Sequence, residues 1–142
     1  MKIMAVDFGD ARTGLAVCDR TEFLASPVGV IQETNFKKVV NQVAIATVEY
    51  AVGMVVVGHP INMDGSKGAR AQKCADFAEE LRKRVQVPVV LWDERRSTIT
   101  AHNMLNENDV RGQKRKEIID EVAATVILES YLEYRKNHPA EK

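Results

Sequence analysis

Hydrophobic residues are distributed along the chain in two rhythms. Short unbroken apolar runs stand at Ile3–Val6, Gly14–Cys18, Met54–Val57 and Val89–Trp92, each the length of a strand buried on both faces. Another run, Leu24–Ile31, contains Pro27, which withholds a backbone donor and so predicts an edge strand. Elsewhere the spacing becomes helical. Phe36, Val39, Val40, Val43, Ala44, Thr47, Val48 and Ala51 recur at three and four residues, with Thr34 or Asn35 as the cap and Gly53 as the breaker. Cys74, Phe77, Ala78, Leu81 and Val85 form a second stripe, with Ser66 as its cap. A short helix over about Ser97 to Glu107, a polar loop from Asn108 to Gln113 and a long helix over about Arg115 to Arg135 complete the pattern.

The spacing between elements sets the topology. Only four or five residues join the first two runs, which suits a hairpin, whereas a parallel crossover needs a dozen or more. The later strands are separated by helices, as in parallel crossovers. The predicted fold is α/β: a five-stranded mixed sheet, three antiparallel strands and then two parallel ones, flanked by helices. No repeat or linker interrupts it, so a single domain is expected over residues 1–138, with a frayed tail at 139–142.

Composition narrows the class. Of 142 residues, 45% are hydrophobic and 28% charged, the profile of a soluble globular chain. No apolar run approaches the length of a membrane span. Asp7 would fall inside the core of any signal peptide, so a cytoplasmic location is expected, with Cys18 and Cys74 as reduced core thiols. The formal net charge is zero, which argues against a protein that coats nucleic acid through a general positive field. The basic residues are nevertheless clustered locally, at Arg95–Arg96 and over Arg111, Lys114, Arg115 and Lys116.

The acids carry the chemistry. Asp7 ends a run that a buried strand would keep apolar, and Gly9 behind it lets another molecule approach the backbone. In mixed sheets, ligands sit beyond the carboxyl ends of the central strands; Asp7, the Gly58–Gly65 loop and Asp93–Glu94 all fall there. On the last helix Asp120 shares a face with Ala123, Ala124 and Ile127. Singly, Asp7 and Asp10 suit a turn, and Asp120 suits the first turn of a helix. Together, Asp7, Glu94 and Asp120 would repel one another without a cation, and such an all-oxygen set suits Mg²⁺ or Mn²⁺. Arg95, Arg96 and the Arg111–Lys116 cluster would then hold flanking phosphates.

Four motifs in fixed order add a resemblance that spans essentially the whole chain. They are Asp7-Phe8-Gly9 with Arg12 and Gly14; Pro60 with Asn62, Met63, Asp64 and Gly65; Asp93-Glu94-Arg95 with Ser97 and Thr98; and Asp120 leading to Ala124 and Ile127-Leu128-Glu129-Ser130-Tyr131. In these the chain resembles the YqgF family, described both as Holliday-junction resolvases and as nucleases that mature the small-subunit ribosomal RNA precursor. The resemblance implies a ribonuclease-H-like fold and a metal site of Asp7, Glu94 and Asp120. It also makes Arg12, Asn62, Ser97 and Thr98 candidate substrate contacts alongside the basic residues. His59 and Arg96 depart from the family by standing where apolar residues are usual. His59 reads either as a proton shuttle or as a local substitution without function.

The expected function is therefore that of a metal-dependent endonuclease acting on structured nucleic acid, either precursor rRNA or branched DNA, as a monomer or homodimer. Two other classes compete. A nucleotide-binding module of the actin and sugar-kinase type also opens with an Asp-x-Gly hairpin, but needs two related domains. A scaffold that binds nucleic acid without cutting it would show no cleavage when metal is supplied.

Overall fold

The apolar runs pair into a single sheet. In a computed structural model, residues 1–62, 64–94 and 112–138 are described, with side chains of the last helix described from residue 122 onward. The strands are β1 (Ile3–Asp7), β2 (Arg12–Cys18), β3 (Ala25–Gln32), β4 (Met54–His59) and β5 (Val89–Asp93). The helices are α1 (Phe36–Glu49), α2 (Ala69–Arg82) and α3 (Gly112–Asn137). The sheet order is β3-β2-β1-β4-β5. β1–β2 and β2–β3 pair antiparallel, while β1–β4 and β4–β5 pair parallel. The expected mixed sheet is thus the observed one, with Pro27 on the edge strand β3.

Alternation along each strand sorts side chains between two cores. Met4, Val6, Leu15, Val55, Val57 and Val89 face α1 and α2, packing on Val39, Val43, Phe77 and Leu81. Ile3, Ala5, Ala16, Val56 and Trp92 face α3, packing on Ala124, Ile127 and Leu128. Being covered on both faces, β1 is buried along its whole length, and so is its terminal acid, Asp7.

Four local readings need correction. Gly58 and His59 belong to β4, not to the loop after it, because pairing of Gly58 with Trp92 and of His59 with Asp93 carries the strand past its apolar run. The cap of α2 is Gly68, without a side-chain bond, because Ser66 is engaged elsewhere. Its hydroxyl donates to Asp64 Oδ1 at 2.6 Å and accepts from Asn62 Nδ2 at 3.0 Å, closing a turn in which Gly65 has φ +89°. In α1, Val48 is 79% exposed and Ala46 takes its place in the stripe. Asn35 caps that helix by accepting from the Lys38 amide at 3.0 Å. Finally, α3 begins at Gly112 rather than near Arg115, so Lys114, Arg115 and Lys116 lie within a helix. Gln, Lys, Arg and Glu are good helix formers, and they extend the helix upstream of its apolar stripe.

Candidate active site

β1 delivers Asp7 to the carboxyl end of the sheet at its centre. The side chain is buried, and its backbone lies opposite Gly14 of β2. Phe8 beyond it turns to the other face and stacks on Phe77, with centroids 4.6 Å apart and rings inclined at 20°. Phe36 meets both rings edge-on. This aromatic trio fixes the end of β1. Gly9 then admits the turn into β2, since a Cβ there would run into the Arg12 carbonyl oxygen. The exposed Asp10 pairs with Lys73 of α2 at 3.1 Å.

Glu94 follows β5 directly. Its side chain crosses β4 at Gly58: a Cβ built on Gly58 would lie 3.0 Å from Glu94 Oε2 and 2.7 Å from Ile127 Cδ1. Because Gly58 sits on the sheet face covered by α3, Glu94 lies on that face too, the one to which alternation also assigns Asp7. Burial pushes the Glu94 carboxyl above its ordinary value, Arg70 opposes the rise and Asp93 adds to it.

Arg70, near the start of α2, reaches the first of these acids. It donates from Nη2 to Asp7 Oδ1 at 3.4 Å, with its own side chain 62% exposed and that of Asp7 7%. Its charge also acts on Glu94. Under this group lies Cys74, one turn along α2. Burial, with Glu94 and Asp7 adding and Arg70 opposing, pushes its thiol up to about 12, so it is inert as a nucleophile.

Asp120 is on α3, four residues before the buried Ala124. Its side chain is outside the described set, as are those of Lys114, Arg115 and Lys116. Met63, Arg95, Arg96, Ser97, Thr98 and Arg111, with the helix expected over 97–107, also lie outside the described residues. Among the described residues no group of three His, Cys, Asp or Glu side chains could hold a metal ion. Asp7 and Glu94 are the two expected ligands whose side chains are described. Arg12 opens β2, half-buried, opposite Gln32. Asn62 is exposed in the turn that Ser66 closes.

His59 is buried at the end of β4, with Nε2 lacking a hydrogen-bond partner among the described residues. Burial lowers its pKa and Lys67 adds to this, while Asp93 and the backbone at Ala71 oppose it. Burial thus favours its neutral imidazole. Alternation from Gly58 turns it toward α2, away from the face on which Glu94 crosses. That geometry favours a local substitution over a proton shuttle.

Two residues of this cluster escaped the sequence reading. Arg70 lies four residues before Cys74, so it extends the apolar stripe of α2 one turn upstream; a charged residue in line with a stripe was the available signal. Gly58, ending an unbroken apolar run, was the other: glycine there marks a close approach as readily as a turn.

Similarity to known proteins spans nearly the whole chain. Residues 1–134 match the family model described as "RuvX: Holliday junction resolvase". A protein of Thermoanaerobacter pseudethanolicus named "Putative pre-16S rRNA nuclease" is 40% identical over 138 residues, covering 96% of this chain and 99% of its own. One of the same name from Halothermothrix orenii is 42% identical over 135 residues, covering 95% and 96%. In fold, the chain is similar to Thermus thermophilus RuvC, with TM-score 0.59, 12% identity and coverage of 94% and 96%. It is also similar to the fowlpox virus Holliday junction resolvase, with TM-score 0.54, 16% identity and coverage of 94% and 99%. The fold is ribonuclease-H-like, and on the match from residue 1 to 134 together with full-length relatives near 40% identity, the chain belongs to the RuvX (YqgF) family.

Proposed function

We propose that this chain is a metal-dependent endonuclease that hydrolyses phosphodiesters in structured RNA and processes the 5′ end of the 16S rRNA precursor in the cytoplasm, as one domain over residues 1–138. The observation that carries the catalytic reading is the placement of Asp7 and Glu94 on one face at the carboxyl end of the sheet, Asp7 beside Arg70 and Glu94 across Gly58. Two carboxylates on one face at the end of the sheet are an oxygen donor set that suits Mg²⁺ or Mn²⁺. The precursor rRNA is favoured by the name shared by relatives that match nearly end to end.

Asp7, Glu94 and Asp120 would hold the ion. Bound there, it supplies Lewis-acid stabilisation of the charge that develops on the phosphodiester. Arg95, Arg96, Arg111, Lys114, Arg115 and Lys116 hold flanking phosphates, and Arg12, Asn62, Ser97 and Thr98 position the strand. With no net charge on the chain, binding depends on these local groups and weakens with salt.

The family description favours a second reading, resolution of four-way DNA junctions. Its paired scissile sites call for a homodimer, whereas a single cut in RNA needs only a monomer. Cleavage of precursor 16S rRNA, a four-way junction and linear duplex, each with Mn²⁺, separates the readings. The precursor is expected to be cut and Asp7→Asn to abolish cutting while circular dichroism stays unchanged. Preferential cutting of the junction transfers the reading to DNA. Binding without cutting of any substrate leaves only a scaffold.

A further inference from the structure

The position of Arg70 is odd for a helix. It is the second residue of α2, a helix with no acid in its first turn and no side-chain cap. A positive charge at a helix N-terminus opposes the macrodipole, so Arg70 does not serve the helix that carries it. Its guanidinium is instead directed at the buried Asp7, 3.4 Å away, and acts on Glu94. Removing one partner from a buried charge leaves that charge uncompensated, which is far costlier than losing an exposed pair. Asp7 is nearly inaccessible and Arg70 largely exposed, so the acids are fixed by the sheet while the cation reaches in from outside. A long, exposed side chain is the member of such a group that can leave.

We propose that Arg70 is the internal counter-cation of the Asp7–Glu94 pair, occupying it in the metal-free protein and competing with a divalent ion for it. The inference deepens the metal-dependent reading above and rests on it. A guanidinium keeps its charge at any physiological pH, so it must withdraw before an ion of like charge can share the same oxygens. Arg70 thereby sets the affinity of the site: the carboxylates stay compensated when metal is scarce, and binding costs the displacement of an arginine. Its withdrawal also leaves a fork of donors at the rim of the site.

The test is calorimetric titration of the full chain with Mn²⁺ alone, for the parent, Arg70→Gln and Arg70→Lys, together with melting temperatures in chelator and in saturating Mn²⁺. Removing a competing charge within a few ångströms is expected to tighten Mn²⁺ binding about tenfold in Arg70→Gln. In chelator that variant should melt lower by about 3 °C, and saturating Mn²⁺ should close the gap. Arg70→Lys, which keeps the charge, should stay near the parent in both measurements. Tighter binding is not something a poorly folded variant would produce. If the parent binds Mn²⁺ and Arg70→Gln binds it equally or more weakly, the counter-cation role is overturned while the metal-dependent reading stands. No binding of Mn²⁺ by the parent overturns both.

Discussion

Gly58 shows how one missing side chain shapes the acid pair. β4 lies between β1, which carries Asp7, and β5, which leads into Glu94. Any side chain at residue 58 on the α3 face would stand where the Glu94 carboxylate crosses, with Ile127 crowding from above. Gly58→Ala is expected to cost about 1–3 kcal/mol in stability through overpacking. A displacement of Glu94 of about 1 Å would lower cleavage by up to about a hundredfold. Parallel measurement of melting temperature and cleavage rate checks this, and full activity in a folded Gly58→Ala protein would refute the crossing. At this scale the acids were legible because each breaks an apolar pattern: Asp7 ends a buried strand and Glu94 follows another. Gly58 and Arg70 were not, because their roles come from neighbours across the sheet rather than from their own segments.

Among the elements, α3 is tied to a hairpin by one ion pair. Its C-terminal half is tied to the β2–β3 hairpin by Arg135, which is 5% exposed and donates to Glu22 at 2.8 and 3.2 Å. Glu22 has φ +61° and so tips the hairpin in a conformation that few side chains adopt. The bond from Arg135 holds the Glu22 carboxyl below its ordinary value, with the N-terminal ammonium assisting and burial opposing. A depressed carboxyl contributes stability above the unfolded pKa and loses it as pH falls through the folded one. Glu22→Gln should therefore destabilise the protein at pH 7 by about 3 kcal/mol, since it leaves a buried arginine without its charge partner. The difference from the parent should shrink once pH falls below about 4.3. A pH series of denaturant midpoints measures it, and a gap independent of pH would show that the ion pair is not its source. The strands and the apolar stripes of the helices were readable from periodicity. Helix starts were readable only in part: Asn35 caps α1 as expected, but Gly68 displaced Ser66 as the cap of α2 because a neighbouring turn claimed the serine, and α3 starts upstream of its apolar stripe.

Across the molecule, the order of the sheet separates what forms locally from what must wait. β1, β2 and β3 are successive antiparallel neighbours joined by short turns, whereas β4 and β5 join through helical crossovers in parallel register. Closing the longer loops costs more entropy before any contact offsets it. The meander is expected to gain amide protection first in pulse-labelled refolding, with β4 and β5 following; simultaneous protection of all five strands would contradict that order. Topology was legible because connection lengths alone separate hairpins from crossovers. For a chain being synthesised, this arrangement is a matter of timing. Asp7 leaves the ribosome early, but Glu94 and Asp120 follow 87 and 113 residues later, and α3 can close over β1 only at the end. In the proposed site Asp7 lacks Asp120 until then, so an unfinished chain would not hold the full set of three proposed ligands while it is still attached to the ribosome that makes it.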